Sequence, residues 1–183
     1  DNTWGLTIPA ADLATLPDGA ANVQASVSNV AGNNAQATHV YSVDATAPSV
    51  TINTIASDDI LNAAEAGSAL TISGTSTAEA GQTVTVTLNG INYSGNVQAD
   101  GSWSVSVPTG DLADLTASPY TVSAAVSDKA GNPTSATHNL TVDLAAPVVT
   151  INTVADDDVI NATEHAQAQI ISGTATGAVA GDR

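Results

Sequence analysis

The sequence contains no cysteine, no phenylalanine and no methionine, and only 3% of its residues are aromatic. The absence of cysteine excludes disulfides and thiol chemistry. A hydrophobic core must therefore be built from Val, Ile, Leu and Ala, which bury little area per residue. A module of this composition needs another means of stabilisation, and a bound metal ion is the first to expect.

Basic residues are almost absent as well: Lys129 and Arg183 stand against 18 acidic residues, giving a formal net charge of −16. This balance argues against binding to nucleic acid or to an anionic membrane through a basic patch. No apolar run is long enough to cross a bilayer, so no membrane insertion is expected, and no signal peptide is visible. The charge predicts a soluble, self-repelling surface or one that is loaded with cations.

The first 84 residues of the sequence recur as residues 100–183, at an offset of 99 residues that Trp4 and Trp103 define. Residues 1–44 align without a gap to residues 100–143, with 19 of 44 positions identical, and residues 45–84 align to 144–183, with 19 of 40. Such self-similarity indicates an array of modules. It predicts one complete module at 45–143, the C-terminal part of a repeat at 1–44, and the N-terminal part of the next at 144–183. The chain is thus expected to be a window onto a longer array.

Apolar and polar residues alternate with period two throughout, and no segment shows a sustained helical period. The complete module is predicted to contain seven strands, A to G, at residues 49–55, 69–76, 83–89, 92–98, 102–107, 120–127 and 135–142. Seven short strands separated by turn residues predict an all-β fold, an immunoglobulin-like β-sandwich. The linkers, residues 44–48 and 143–147, are short and contain proline, which favours extended backbone and an end-to-end arrangement of tandem repeats.

Several short stretches share one recognisable pattern: residues 43–48, 50–54, 58–65, 72–75, 100–105 and 128–132, with second copies at 142–147, 149–153, 157–164 and 172–174. Together they resemble the bacterial immunoglobulin-like repeats of giant surface adhesins and biofilm-associated proteins exported by type I secretion. The resemblance implies an extracellular spacer on the bacterial cell surface, with neighbouring repeats of the same protein as its partners. It also implies calcium at the joints between repeats.

The first candidate metal site is the predicted A–B loop, with Asp58, Asp59, Asn62 and Glu65, which should lie beside Asp143 where strand G ends. Calcium takes six to eight oxygen ligands, and these side chains supply oxygen. The loop recurs with Asp157, Asp158 and Glu164. In the alternative interpretation, the same Asp and Asn residues serve turns and helix N-caps, without a metal ion.

A second candidate site lies at the opposite end of the module. The F–G corner, with Asp128 and Asn132, is expected to approach the incoming linker at Asp44. Asp12 and Asp18 of the preceding repeat could contribute as well. The alternative is a solvated turn in which Gly131 and Asn132 adopt left-handed conformations.

No catalytic constellation is recognisable, so no enzyme is predicted. His39 and His138 occupy equivalent strand positions without a neighbouring nucleophile. Three histidines and no cysteine in the whole chain argue against a zinc site. Trp4 and Trp103 are expected to open strand E and to pack in the core.

The sequence therefore predicts a structural spacer segment of an extracellular adhesin, extended and made rigid by calcium, which supports cell adhesion or biofilm formation. Two alternatives remain open. The loops could grip a host glycan or protein, making this a binding module. Or the chain could self-associate, since its two incomplete modules carry strands that would complete one another between molecules and form fibres.

Overall fold

The structure is a computed structural model that describes residues 3–116 and 118–177. Residues 1, 2, 117 and 178–183, which the predicted modules include, lie outside the described residues. The strands are β1 Gly19–Ser28, β2 Asn34–Val43, β3 Ile60–Asn62, β4 Leu70–Thr75, β5 Thr83–Leu88, β6 Ile91–Asn96, β7 Ser102–Val107, β8 Ser118–Ser127, β9 Pro133–Asp143, β10 Val148–Ile151 and β11 Gly173–Thr176. The helices are short: α1 Ala10–Leu13, α2 Ala63–Ala66, α3 Thr109–Ala113 and a 3-10 turn at Glu164–Ala166.

Residues 45–143, hereafter the central module, form a sandwich of two sheets. One sheet has the order β3-β9-β8-β5-β6, and the other pairs β4 with β7. All pairings are antiparallel except β3 with β9, which run parallel. The fold class is therefore the predicted immunoglobulin-like β-sandwich.

The predicted strands B to G correspond to β4 to β9, with differences of one or two residues at their ends. The turn residues explain the agreement. Asn89 and Gly90 have φ values of 50° and 77°, as a two-residue hairpin between β5 and β6 requires. Gly101, with φ 82°, closes the turn into β7.

Predicted strand A, residues 49–55, runs beside β4 but is joined to it only at intervals. The Thr51 amide donates to the Thr75 carbonyl at 2.8 Å, and the Asn53 amide donates to the Ser73 carbonyl at 2.9 Å. Beyond Ile55 the chain turns sharply and enters the other sheet as β3, which was not predicted. A segment that changes sheets cannot sustain one long ladder, which is why strand A is interrupted.

The core lies between the two sheets and is formed by the alternating apolar residues of every strand. Its largest member is Trp103 on β7, only 2% exposed, so the predicted core role of this residue is confirmed. The Trp103 ring packs against the backbone at Gly74 of β4. Aliphatic side chains complete the core, among them Ile72, Val86 and Leu140.

Two further segments flank the central module. Residues 3–44, the N-terminal segment, contain the β1–β2 hairpin, and residues 144–177, the C-terminal segment, contain the β10–β11 pair. The prediction that Trp4 opens a strand and packs in a core is wrong for this chain: Trp4 lies outside any strand and is 75% exposed. The physical reason is that its counterpart Trp103 is held by β4, and residues 3–44 contain no equivalent of β4.

Candidate functional site

The A–B loop, residues 56–68, is shaped by its own carboxylates. Ala56, Ser57 and Asp59 have positive φ values of 50°, 72° and 66°. Asp59 Oδ1 accepts the Ile55 amide at 2.8 Å, while the Asp59 amide donates to the Ile55 carbonyl at 2.7 Å. Asp58 Oδ1 accepts the Ile60 amide at 3.0 Å. These bonds hold the turn that carries the chain from one sheet to the other.

The second half of the loop is a capped helical turn. Asn62 Oδ1 accepts the amides of Ala64 and Glu65 at 2.9 and 3.1 Å, and Glu65 Oε2 accepts the Asn62 amide at 3.1 Å. This reciprocal capping box satisfies the unpaired donors at the start of α2. The alternative interpretation of these residues, as turn and cap residues, therefore describes bonds that are present in the structure.

Asp143 lies where the sequence placed it, beside this loop. It is the register partner of Asn62 in the parallel β3–β9 pair. Asp143 Oδ1 accepts the Ala145 amide at 3.1 Å, which shapes the outgoing linker. Each of the carboxylates of Asp58, Asp59, Glu65 and Asp143 uses one oxygen in these bonds.

His138 on β9 is a partner of the loop that the sequence did not indicate. Its Nε2 atom lies 2.7 Å from Asp59 Oδ1. The Ile55 amide, followed by the His138 side chain, holds the pKa of Asp59 below its ordinary value. The two residues are 79 positions apart and meet only because β3 pairs with β9, so no local pattern reveals the contact.

The second copy of the loop repeats the same bonds. Asp158 Oδ1 accepts the Val154 amide at 2.9 Å, and Asp157 Oδ1 accepts the Val159 amide at 2.9 Å. Glu164 Oε2 accepts the Asn161 amide at 3.0 Å. The two copies of the loop therefore share their hydrogen bonds as well as their residues.

At the other end of the central module, Asp44, Asp128 and Asn132 come together as expected. Asp128, only 9% exposed, accepts the amides of Gly131 and Asn132 at 2.8 Å each through Oδ1. Asn132 Nδ2 donates to Asp128 Oδ2 at 2.8 Å and to the Asp44 carbonyl at 3.2 Å. The Asn132 side chain, followed by the backbone amides of the turn, lowers the pKa of Asp128.

The N-terminal segment also forms hydrogen bonds with this linker. Asp18 Oδ1 accepts the Ala45 amide at 2.8 Å, and Asp18 Oδ2 accepts the Thr46 hydroxyl. The Thr46 hydroxyl and then the Ala45 amide lower the pKa of Asp18, while the charge of Asp128 opposes this. Asp12, the other residue considered, uses its backbone carbonyl to end α1.

Around the linker lies a cleft of about 300 Å³, hereafter the joint cleft, lined by Asp44, Thr46, Ala47, Pro48, Thr77, Glu79 and Asp128. Glu79 was missed by the sequence analysis. Its Oε2 atom accepts the Lys129 amide at 3.1 Å. The equivalent position in the next copy is Ala178, so the repeat does not mark Glu79.

The joint cleft offers the type of ligand atom that calcium binds. Three carboxylates and two hydroxyls line one cavity, and hard oxygen donors of this type are what calcium takes. However, these oxygen atoms do not form a ready-made metal-binding cluster. Within residues 3–116 and 118–177, no three side chains of His, Cys, Asp or Glu lie together as a metal-holding group.

The fold and the site together define an immunoglobulin-like repeat with acidic joints. A family model for the bacterial Ig-like domain matches residues 52–144. The chain belongs to this family. No curated protein matches the chain significantly.

Solved structures with similarity come from large bacterial adhesins. A 1.5-MDa bacterial ice-binding adhesin, studied for host cell surface retention, is 38% identical at a TM-score of 0.51, with 95% of this chain and 58% of that chain covered. A Ca²⁺-stabilized adhesin that helps an Antarctic bacterium bind ice is 41% identical at a TM-score of 0.47, and the match covers 91% of this chain and 42% of that chain. A bacterial immunoglobulin-like domain from the M. primoryensis ice-binding adhesin is 43% identical at a TM-score of 0.43, and the match covers 54% of this chain and 100% of that chain.

The chain thus spans 58% of the first of these structures. It is an Ig-like segment similar to those of large bacterial surface adhesins. Among the helices of the described residues, none has the length and apolar character needed to cross a membrane.

Proposed function

We propose that this chain is a spacer segment of an extracellular bacterial adhesin, built of end-to-end repeats with boundaries at residues 44–45 and 143–144. The observation that carries this proposal is the doubly held linker. Asp18 of the N-terminal segment bonds to Ala45 and Thr46, and Asn132 of the central module bonds to Asp44. A linker held from both sides resists bending, which is the property a spacer needs.

The strand directions also support a role as a spacer. β9 enters the module at the F–G corner, beside the incoming linker, and leaves at Asp143, beside the outgoing one. Tension applied between the two linkers therefore runs along the sheet. Its load falls on the parallel pair of β3 and β9, in which Ile60–Asn62 bond to Thr141–Asp143. Neighbouring repeats of the same protein are the partners of this segment, and no catalytic role is proposed.

Calcium is proposed as the agent that stiffens the joints. At the first joint, Asp44, Glu79 and Asp128 would hold the ion, with Asn132 orienting Asp128. At the second, Asp143 would do so with Asp58, Asp59, Asn62 and Glu65, and Asp157, Asp158 and Glu164 would serve the next copy. A bound calcium ion supplies positive charge that neutralises and bridges carboxylates. The surface carries net charge −16, so this neutralisation removes repulsion at the joints.

The similar solved structures, which come from bacterial adhesins, support a proposal for the cellular setting. We propose that the chain lies outside the cell on the bacterial surface, after type I secretion, and that it supports adhesion or biofilm formation by holding binding modules away from the cell. The alternative of a glycan-binding module draws no support from Trp103, the tryptophan of the central module, because this residue is buried.

Thermal unfolding with and without calcium tests the proposal. A ligand that binds only the folded state raises the melting temperature by mass action. We expect calcium to raise the melting temperature of the wild-type chain and excess chelator to abolish the rise. Replacing Asp44 and Asp128 together by Asn should reduce the calcium-induced shift at the first joint, and Asp58→Asn with Asp59→Asn should reduce it at the second.

Asp114→Asn is the matched control, since Asp114 is exposed at the end of α3 and belongs to neither set of proposed ligands. It should leave the calcium-induced shift unchanged. Identical melting curves in calcium and in chelator would refute the calcium part of the proposal. The spacer role would then depend on the direct bonds at the linkers.

A further inference from the structure

The two linkers occupy equivalent places in the repeat but have different side chains around them. At the 99-residue offset, three positions change from one joint to the other: Asp18 to Ala117, Ala45 to Leu144 and Thr46 to Ala145. The first joint, around residues 44–48, thus has a carboxylate and a hydroxyl where the second joint, around residues 143–147, has aliphatic side chains. The polar pair gives the first joint bonds that the second joint cannot form.

Asp18 binds the first linker with both of its carboxylate oxygens. Oδ1 accepts the Ala45 amide at 2.8 Å, and Oδ2 accepts the Thr46 hydroxyl. Two bonds to one planar group fix the orientation of the linker as well as its distance from the N-terminal segment. Gly19 follows Asp18 with a φ value of 125°, in the region that favours glycine, and so sets the direction in which the chain leaves toward β1.

The central module holds the same linker one residue earlier. Asn132 Nδ2 donates to the Asp44 carbonyl at 3.2 Å, and Asp128 fixes Asn132 by accepting both its backbone amide and its side-chain amide at 2.8 Å each. Adjacent residues of one linker are therefore bonded to the two units that they connect. Protein groups alone form these bonds, so they can set the angle of the joint before any ion binds.

Repulsion between the carboxylates does not prevent this arrangement. The charge of Asp128 acts against ionisation of Asp18, but the bonds from Thr46 and Ala45 outweigh it and hold the pKa of Asp18 below its ordinary value of 3.8. At neutral pH, Asp18 is thus ionised and accepts both bonds without help from a cation.

The second linker is bonded differently. In the part of the chain that the structure describes, its one side-chain hydrogen bond comes from within the linker, where Asp143 Oδ1 accepts the Ala145 amide at 3.1 Å. Leu144 packs against the core of the central module, which is an apolar contact. Position 117 has no carboxylate, so the like charges of Asp143 and the A–B loop act here without the bonds that oppose repulsion at the first joint.

We propose that Asp18 fixes the angle of the first joint without a cation, whereas the second joint keeps a fixed angle only while calcium is bound. This inference rests on the proposed spacer role and assigns the calcium response of the spacer to one joint. After chelation, the N-terminal segment and the central module stay one rigid unit, and residues 143–147 become a hinge. Because a few side chains form the lock, it should also be transferable.

Spin labels measure each joint separately, because the chain has no cysteine of its own. Thr38→Cys with Thr121→Cys labels the two sides of the first joint, and Thr121→Cys with Thr176→Cys labels those of the second, all at exposed strand positions. Pulsed electron paramagnetic resonance then gives a distance distribution across each joint. We expect equal widths in calcium and in chelator at the first joint. At the second, the distribution in chelator should be at least about twofold wider, because like charges repel there.

Asp18→Ala removes the lock. In chelator it should widen the first-joint distribution at least about twofold, and calcium should narrow it again, because the joint then depends on the ion as the second joint does. Asp12→Ala is the matched control. It removes the same charge from the same segment, but Asp12 takes part in the described hydrogen bonds through its backbone, so the widths should stay unchanged.

Transfer of the lock tests the inference from the opposite direction. Ala117→Asp, Ser118→Gly and Ala145→Thr together give the second joint the groups of the first, and its distribution in chelator should become as narrow as in calcium. A wild-type first joint that widens in chelator, an Asp18→Ala variant that stays narrow, or a graft that changes nothing would each overturn the inference. Failure of the proposed calcium function looks different: the wild-type second joint would have one width in both solutions, while Asp18→Ala still widened the first.

Discussion

Asp59 is the residue that connects the most distant parts of the central module. It sits at φ 66° in the A–B loop, where its Oδ1 atom accepts the Ile55 amide and lies 2.7 Å from His138 Nε2. One side chain thus closes the turn and fastens it to β9. The bond fixes the start of β3 and, through it, the position of the loop carboxylates beside Asp143.

We expect Asp59→Asn to lower the melting temperature at pH 7. Asn tolerates the positive φ, so the backbone can stay as it is while the charge is lost. The pKa of Asp59 is lowered in the folded protein, so its stabilising effect is present above the ordinary value of 3.8 and is lost as the pH falls through the folded value. The difference between variant and wild type should therefore shrink below about pH 4.

Thermal melts of both proteins between pH 3 and pH 7 measure this difference. His138→Ala should show a smaller loss than Asp59→Asn, because the Ile55 amide is the larger of the two causes. Equal melting temperatures for Asp59→Asn and wild type at pH 7 would contradict the role given to this side chain.

Local roles of single residues could be predicted from the sequence, but contacts across the sheet could not. The Asp-Asp and Asn-Glu spacings indicated turns and caps, and the structure contains them. The His138–Asp59 contact depends on a parallel pairing that no local pattern encodes. A second example is Asp111 in α3, which accepts the Tyr93 hydroxyl at 2.8 Å. Burial, followed by this carboxylate, raises the pKa of Tyr93 to about 12. Calcium binding stays a prediction.

At the scale of elements, the β4–β7 pair is packed so closely at Gly74 that no side chain fits there. Gly74 lies between the Thr51 carbonyl on one side and the Trp103 ring on the other, with no room for a Cβ atom. The close approach lets the interrupted strand A, β4 and the indole ring pack together. A glycine inside a strand costs conformational entropy, and here the close packing explains its presence.

Gly74→Ala should destabilise the central module by at least about 2 kcal/mol, because the added methyl group forces apart a packed core. Gly110→Ala is the matched control. Gly110 lies in α3 with nothing within 4 Å of the Cβ position, so alanine there should be neutral or stabilise by about 0.5–1 kcal/mol. Chemical denaturation of the two variants measures both effects, and an unchanged stability for Gly74→Ala would contradict the packing described.

Elements bounded by turn signals were the ones that the sequence predicted well. The Asn89-Gly90 turn separates β5 from β6, the Asp100-Gly101 turn separates β6 from β7, and β7 was predicted to the residue. The three-residue strand β3 escaped prediction because it is too short to show a period, and its partner is distant. The strand expected at Trp4 did not form because strands need a neighbour, which the N-terminal segment does not provide.

At the scale of the whole molecule, the two joints share a plan but differ in chemistry. Asp18 grips the first linker through Ala45 and Thr46, whereas the equivalent positions at the second joint hold Ala117, Leu144 and Ala145. The first linker is thus bonded directly to its preceding segment by groups that the second lacks. The second joint depends more on the A–B loop carboxylates near Asp143 and, in the proposal, on the cation they would hold.

Small-angle X-ray scattering in calcium and in chelator is the most direct test of a calcium-stiffened spacer. Measurement at several dilutions, extrapolated to zero concentration, keeps contacts between molecules from contributing. We expect a larger maximum dimension and a narrower distance distribution in calcium, because neutralised carboxylates fix the joint angles, and a broader distribution in chelator, because like charges repel. Identical profiles in both solutions would contradict the account and remove calcium as the stiffening agent.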